Sequence, residues 1–237
     1  MKIDDIQELS LDIEGDIFFD YDLKKLNWFN IGGKAEIFFK PNTLKSLVKF
    51  LKIYSKRGKI FILGAGSNVL INDATFPGVI IKLGKNFSNI SILNENLIVA
   101  GCATPQKNLS EYAKENNIGE MEFLSCIPGS VGGGIRMNSG CFESEFKDIL
   151  VSVQYIDFDG LVKTINSKNI NFEYRGINLP KDIIFLSATF KGIEKNKKDI
   201  QNKIDHLKKK KEQAQPTRIK TGGSTFKNPN NNTEKKV

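Results

Sequence analysis

Histidine is almost missing from this 237-residue chain, with His206 the single example, and tryptophan also occurs once. A Ser-His-Asp hydrolase would need that histidine as its base, yet it sits in a lysine-rich helical pattern, so the sequence gives a triad no support. The three cysteines, Cys102, Cys126 and Cys141, are odd in number and lack metal-ligand spacing. They argue against a disulfide framework and a zinc site, and read as small buried thiols of a reducing compartment. Long apolar runs are absent too; stretches such as Val79-Ile80-Ile81 are far too short to span a membrane. The first residues, Met1-Lys2-Ile3-Asp4-Asp5, contain no signal-peptide apolar region. The expectation is a cytoplasmic chain without membrane attachment.

What is abundant is lysine. Thirty-five Lys and Arg against 27 Asp and Glu give a net charge of +8. An anionic partner such as a nucleotide or sugar diphosphate would explain it. So would a solvated helix face, the reading favoured for Lys195, Lys197, Lys198, Lys203 and Lys208 to Lys211. A nucleic-acid partner is not expected, because no recognition module or aromatic stacking platform accompanies the charge.

The apolar pattern predicts an α+β fold with more strands than helices. An acidic extended stretch covers 16–22, and two short strands around Trp28-Phe29-Asn30-Ile31 and 35–39 flank Gly32-Gly33. Pro41-Asn42-Thr43 opens a helix carrying Leu44, Leu47, Val48, Leu51 and Tyr54 at helical spacing. Strands are expected at 59–63, 69–72, 79–83, 90–93 and 97–100, and a second helix near 105–117. Asp159-Gly160 marks a hairpin between 151–158 and 161–165, followed by a strand at 183–190. A last helix, 195–213, presents Ile200, Ile204 and Leu207 on one face. The pattern is not a βαβ alternation, so a Rossmann sheet is not the first expectation.

Three glycine clusters stand out. Gly64-Ala65-Gly66-Ser67-Asn68 lacks the third glycine and the following helix of a dinucleotide fingerprint, and no Gly-Lys-Ser/Thr marks a Walker loop. A strand–turn–strand there could expose backbone N–H groups as an anion nest, or be a plain tight turn. The second cluster, 127–140, holds Pro128, Gly129, Ser130, Gly132, Gly133, Gly134, Arg136, Asn138 and Gly140. So many glycines cost entropy on ordering, which is consistent with close backbone approach to a ligand or with a buried crossing of backbones. Two such nests in a basic chain suit an extended ligand with a pyrophosphate middle. The third cluster, Gly222-Gly223-Ser224-Thr225-Phe226-Lys227-Asn228-Pro229, is ambiguous alone.

Taken in order, these segments resemble one family. Trp28 to Ala35 (WFNIGGKA), LGAGSNVL at 63–70, the 127–140 cluster, Phe172-Glu173-Tyr174-Arg175 and GGSTFKNP at 222–229 together are similar to UDP-N-acetylenolpyruvoylglucosamine reductase, type II. The resemblance implies a two-lobed FAD-binding region of the vanillyl-alcohol-oxidase-like (PCMH-type) kind over 20–192, with lobes of about 20–82 and 83–192. A leader, 1–19, precedes it, and 195–237 begins a substrate-binding α+β domain. It further implies FAD and NADPH as cofactors, a UDP-sugar enolpyruvyl ether as substrate, a place in peptidoglycan precursor synthesis, and a monomer. Gly64, Ala65, Gly66, Ser67, Asn68, Pro128, Gly129, Ser130, Gly132, Gly133, Arg136, Asn138 and Gly140 would hold FAD. Arg175 would stabilise the developing enolate and Ser224 would donate the proton, with Tyr174, Lys227 and Asn228 on the substrate.

Two departures accompany the resemblance. Asn27 precedes the aromatic pair where the family commonly has threonine. The family's further catalytic glutamate lies beyond Val237, since Glu234 lacks matching neighbours. The latter leaves an incomplete product, a split gene or a relic that binds FAD without turnover as readings to set beside an active enzyme. Another flavoenzyme of the same superfamily is the remaining alternative.

Overall fold

The computed structural model describes residues 13–214. The first sheet comprises β1 (Gly15–Asp22), β2 (Lys34–Pro41), β3 (Lys59–Ile62) and β4 (Phe76–Ile81), in the order β1-β2-β4-β3. β1 pairs antiparallel with β2, while β2 and β3 both run parallel to β4. Parallel neighbours need a crossover, and helix α1 (Leu44–Tyr54) supplies it. Its start is fixed by a reciprocal capping box: Ser46 N donates to Thr43 Oγ1 and Thr43 N donates to Ser46 Oγ, each at 3.1 Å. Its buried face, Leu47, Phe50, Leu51 and Tyr54, packs on Ile37 and Phe39 of β2 and on Val79 and Ile81 of β4.

The chain continues through β5 (Ile90–Asn94), β6 (Leu97–Gly101), α2 (Gln106–Glu115), a 3-10 turn (Glu122–Cys126) and α3 (Val131–Arg136). A small hairpin, β7 (Gly140–Cys141) with β8 (Ser144–Glu145), leads into α4 (Phe146–Ile149) and β9 (Leu150–Asp157). Then come β10 (Val162–Asn166), a second small hairpin of β11 (Phe172–Glu173) and β12 (Gly176–Ile177), β13 (Ile183–Lys191) and α5 (Lys197–Ala214). The larger second sheet is antiparallel throughout, in the order β10-β9-β13-β6-β5.

β13 explains how the two sheets join. Ile184 and Leu186 enter the α1 cluster, while Ile183, Phe185, Ala188 and Phe190 enter a second core with α2, α3 and α5. A strand buried on both faces has no room for alternation, hence its continuous apolar run. α5 docks through Ile200, Ile204 and Leu207, the face read from the sequence. Among the described residues, no helix is long and apolar enough to cross a membrane.

Three expectations need correction. Residues 28–31 form no strand. The buried Asn27 organises a turn instead, its Nδ2 donating to Leu23 O (3.1 Å) and Ile31 O (2.8 Å) and its Oδ1 accepting from Phe29 N (3.1 Å). Residues 69–72 are irregular: Val69 and Ile71 pack on the outer face of the first sheet, but Leu70 is 74% exposed and Asn72 O accepts from Gly33 N. Lastly, the 127–140 segment, read from the sequence only as a glycine cluster with no helix in it, contains α3.

The lysine run also does more than face solvent. Lys195 and Lys203 approach the carboxylate of Glu122, itself 1% exposed, at 3.4 and 3.6 Å, and Lys197 pairs with Glu115. Lys208 to Lys210 remain exposed, as expected.

Candidate flavin site

The two glycine segments, some sixty residues apart in sequence, face each other. Ser67 Oγ donates to Pro128 O at 3.0 Å. A Cβ on Gly64 would lie 2.7 Å from Ser130 Oγ, and one on Gly129 would lie 3.3 Å from Ser67 Oγ. Side chains at Gly64 or Gly129 would therefore fill the space between the two turns. Gly66 needs its left-handed backbone (φ +71°), and a Cβ there would meet Leu26 O at 2.0 Å. Trp28 N donates to Gly66 O, so the first turn rests on the Asn27 turn.

Donor accounting separates the two segments. Among the described residues, no hydrogen bond takes up the backbone N–H of Gly64, Ala65, Gly66, Ser67 or Asn68. Five consecutive unpaired N–H groups make a concentration of positive partial charge. In α3, by contrast, the first-turn donors are used. Val131 N bonds to Thr104 O, Gly132 N to Cys102 O, Gly133 N to Ser130 Oγ and Gly134 N to Ser130 O. Glycine serves close packing there. A Cβ on Gly134 would sit 2.4 Å from the ring of the fully buried Phe146, and one on Gly132 would sit 3.1 Å from Cys102 Cβ.

The remaining expected residues divide between surface and scaffold. Arg136 donates to Pro180 O (2.8 Å) and Ile183 O (3.3 Å) and lies over the Phe185 ring, so it fastens the approach to β13. Burial lowers its pKa and Asp182 opposes that. Asn138, buried at φ +39°, donates to Glu145 Oε2 (3.0 Å) and Glu173 O (3.4 Å) and accepts from Lys147 N (3.1 Å). Gly140 pairs with Glu145 in the β7–β8 hairpin. Arg175, at φ +65°, and Tyr174 are the two turn residues of the β11–β12 hairpin, with the guanidinium 5.5 Å from the Tyr174 ring centre. Asn138 thus ties the hairpin that carries Arg175 to the end of α3. Ser224, Lys227 and Asn228 lie outside the described residues.

Two further residues border the turns. Lys82, just after β4, donates its ammonium to Gly64 O. Burial, with Lys40 adding to it, lowers its pKa. Gln106 is 2% exposed; its Nε2 donates to Ser130 O (3.3 Å) while its Oε1 has no partner among the described residues. Sequence offered little signal for either, since each reaches its partner across a long separation. A separate cavity of about 340 Å³, lined by Asn42, Asn86, Asn89 and Gln154 among others, shares no residue with the glycine turns.

An open donor cradle, a nearby lysine and an unsatisfied buried amide oxygen fit a long anion with polar edges. Residues 35–166 match the family described as FAD binding domain. The fold is similar to that of BBE-like 1 of Physcomitrella patens, with a TM-score of 0.59 at 16% identity, covering 80% of this chain and 44% of that one. The chain is therefore an α+β protein that carries an FAD binding domain and shares its fold with that protein.

More specific likenesses follow. UDP-N-acetylenolpyruvoylglucosamine reductase of Pelagibacter ubique (strain HTCC1062) is 57% identical over 237 residues, all of this chain and 78% of the relative. The crystal structure of UDP-N-acetylenolpyruvylglucosamine reductase from Thermus caldophilus superposes with a TM-score of 0.79 at 26% identity, covering 92% of this chain and 76% of that one. The chain belongs to the UDP-N-acetylenolpyruvoylglucosamine reductase family of oxidoreductases.

Proposed function

We propose that this chain binds FAD between its lobes, 20–82 and 83–192, and uses NADPH to reduce UDP-N-acetylglucosamine enolpyruvate to UDP-N-acetylmuramate. The observation that carries the reading is the set of N–H groups from Gly64 to Asn68, unpaired among the described residues, on a turn that abuts Pro128, Gly129 and Ser130. That cradle would hold the pyrophosphate, with Lys82 adding charge and Gln106 Oε1 offering an acceptor. FAD would supply two-electron hydride exchange between NADPH and the enolpyruvyl carbon. Gly132, Gly133, Arg136, Asn138 and Gly140 would shape the wall against which the cofactor lies, largely through the packing described above.

Arg175 supplies what the substrate's chemistry demands. Hydride addition at C3 pushes charge toward the carboxylate, and a planar, permanent guanidinium can bind that group bidentately. Tyr174 beside it, with Lys227 and Asn228 by their motif, would bind the substrate. Ser224 Oγ would deliver the proton to C2, a role a hydroxyl can fill against a strongly basic carbon. The reaction belongs to peptidoglycan precursor synthesis in the cytoplasm, carried out by a monomer.

The test begins with flavin reconstitution of the purified chain and NADPH oxidation dependent on the enolpyruvyl substrate. Arg175→Asn, chosen because asparagine tolerates positive φ, is expected to lower kcat by about 10²–10³ while flavin retention is unchanged. Unaltered kcat would remove Arg175 from the reaction, and failure to take up flavin by the parent chain would remove the whole reading.

A further inference from the structure

Arg175 is placed by its backbone rather than by its side chain. Among the described residues its guanidinium makes no hydrogen bond or ion pair, and it stands 5.5 Å from the Tyr174 ring centre. Tyr174 and Arg175 are the two central residues of the β11–β12 turn, and of the two Arg175 alone has positive φ, +65°. That pattern fits a type II turn, which calls for glycine or asparagine at its second central place. Here glycine comes one residue late, as Gly176, and arginine takes the left-handed position. A long side chain in that conformation is strained, and it persists where the surroundings over-determine the backbone.

The base of the hairpin is closed by Asn178 N donating to Asn171 O at 2.9 Å, with Phe172 and Ile177 packed against the second core. A further tie comes from the end of the glycine segment. Asn138 Nδ2 donates to Glu173 O at 3.4 Å, immediately before the turn. Asn138 is itself fixed. It is 4% exposed, its Nδ2 also donates to Glu145 Oε2 (3.0 Å), and its Oδ1 accepts from Lys147 N (3.1 Å). Lys147 Nζ lies 2.7 Å from the same Glu145 oxygen, so that carboxylate is gripped twice.

We propose that Asn138 is a positioning residue for the reaction: by holding Glu173 O it sets where the Arg175 guanidinium stands, and it acts through the hairpin rather than through the cofactor. This rests on the reading in which Arg175 meets the substrate carboxylate. Stabilisation of a developing enolate depends on where the cation sits, and a misplacement of about 1 Å can cost about 10²-fold in rate. Because the guanidinium has no hydrogen bond of its own among the described residues, a shift at Glu173 passes directly to it.

The experiment compares Asn138→Asp, which keeps the accepting oxygen and loses both donations, with Asn138→Gly, which suits the positive φ and removes the whole group. Each should lower kcat for the enolpyruvyl substrate by about 10–10²-fold, while the Kd for FAD moves by less than about twofold. Asn138→Gly combined with Arg175→Asn should be no slower than Arg175→Asn alone, because an absent guanidinium cannot be misplaced. Losses that multiply, or FAD affinity that falls in step with kcat, overturn the proposal. Unaltered turnover of Arg175→Asn would instead remove the reading on which it rests. Amide hydrogen exchange of the apo chain supplies a readout without flavin or substrate. Both variants should lose protection at 172–177 while β9 keeps its own, and unchanged exchange in the hairpin sinks the idea. Should neither variant fold, the wild type decides. The Lys147 N–H and the hairpin amides should open together, with protection equal to within about threefold, and a hairpin that opens independently refutes the tie.

Discussion

Two glycine-rich segments with similar composition do opposite physical work. The turn at 64–68 leaves its N–H groups open, whereas α3 consumes its own and uses missing side chains to let Phe146 and Cys102 approach. Glycine content alone therefore does not identify an anion cradle. What distinguishes the two is where each N–H goes, a question with a definite answer at every residue.

Substitutions can break that contrast, beginning with the most severe. Gly66→Ala places a methyl against Leu26 O at a left-handed backbone, and should cost roughly 3 kcal/mol by denaturant unfolding. A loss under about 1 kcal/mol would mean that the turn rearranges freely. Lys82→Met should weaken FAD binding about tenfold, equivalent to about 1.4 kcal/mol, in a fluorescence titration.

Lys82 also predicts a pH dependence. Its folded pKa is depressed, so in the window from that value up to about 10.4 the folded apo chain binds fewer protons than the unfolded one, and stability rises with pH there. An anionic ligand favours the protonated lysine, so FAD affinity should fall as pH rises through the same window. Lys82→Met should flatten that slope.

The smallest effect is also the sharpest test. Gly133 is exposed in α3, and a Cβ there meets only Ser130 Oγ, at 3.4 Å. Gly133→Ala should raise stability by about 0.5–1 kcal/mol through helix propensity. If the flavin lies close over this face, affinity should drop at the same time. A gain in stability with unchanged affinity would move the cofactor away from α3.

What was legible in the sequence was what is encoded locally. α1 carries its capping residues and apolar period side by side, and α5 shows Ile200, Ile204 and Leu207 at helical spacing. The β9–β10 hairpin is announced by Asp159-Gly160, and Gly160 does take positive φ. Ordered motifs carried the family. Residues 69–72 misled because Val-Leu-Ile favours strands everywhere, while here the chain has already left the sheet. α3 was hidden because glycine is the poorest helix former after proline, and tertiary packing overrides that preference. Lys82 and Gln106 were invisible for another reason: their partners lie 18 and 24 residues away.

Asn138 has a consequence for specificity of design. Its amide nitrogen serves two oxygens and its amide oxygen takes one N–H, so two other segments, 145–147 and 173, meet on a single planar group. Aspartate would set a negative charge against Glu145, and an aliphatic residue would take this partner from Glu173 O and Lys147 N, leaving Glu145 to the Lys147 ammonium. The span between the arginine hairpin and the end of α3 is thus gauged by one side chain, much as a spacer sets the gap between two plates.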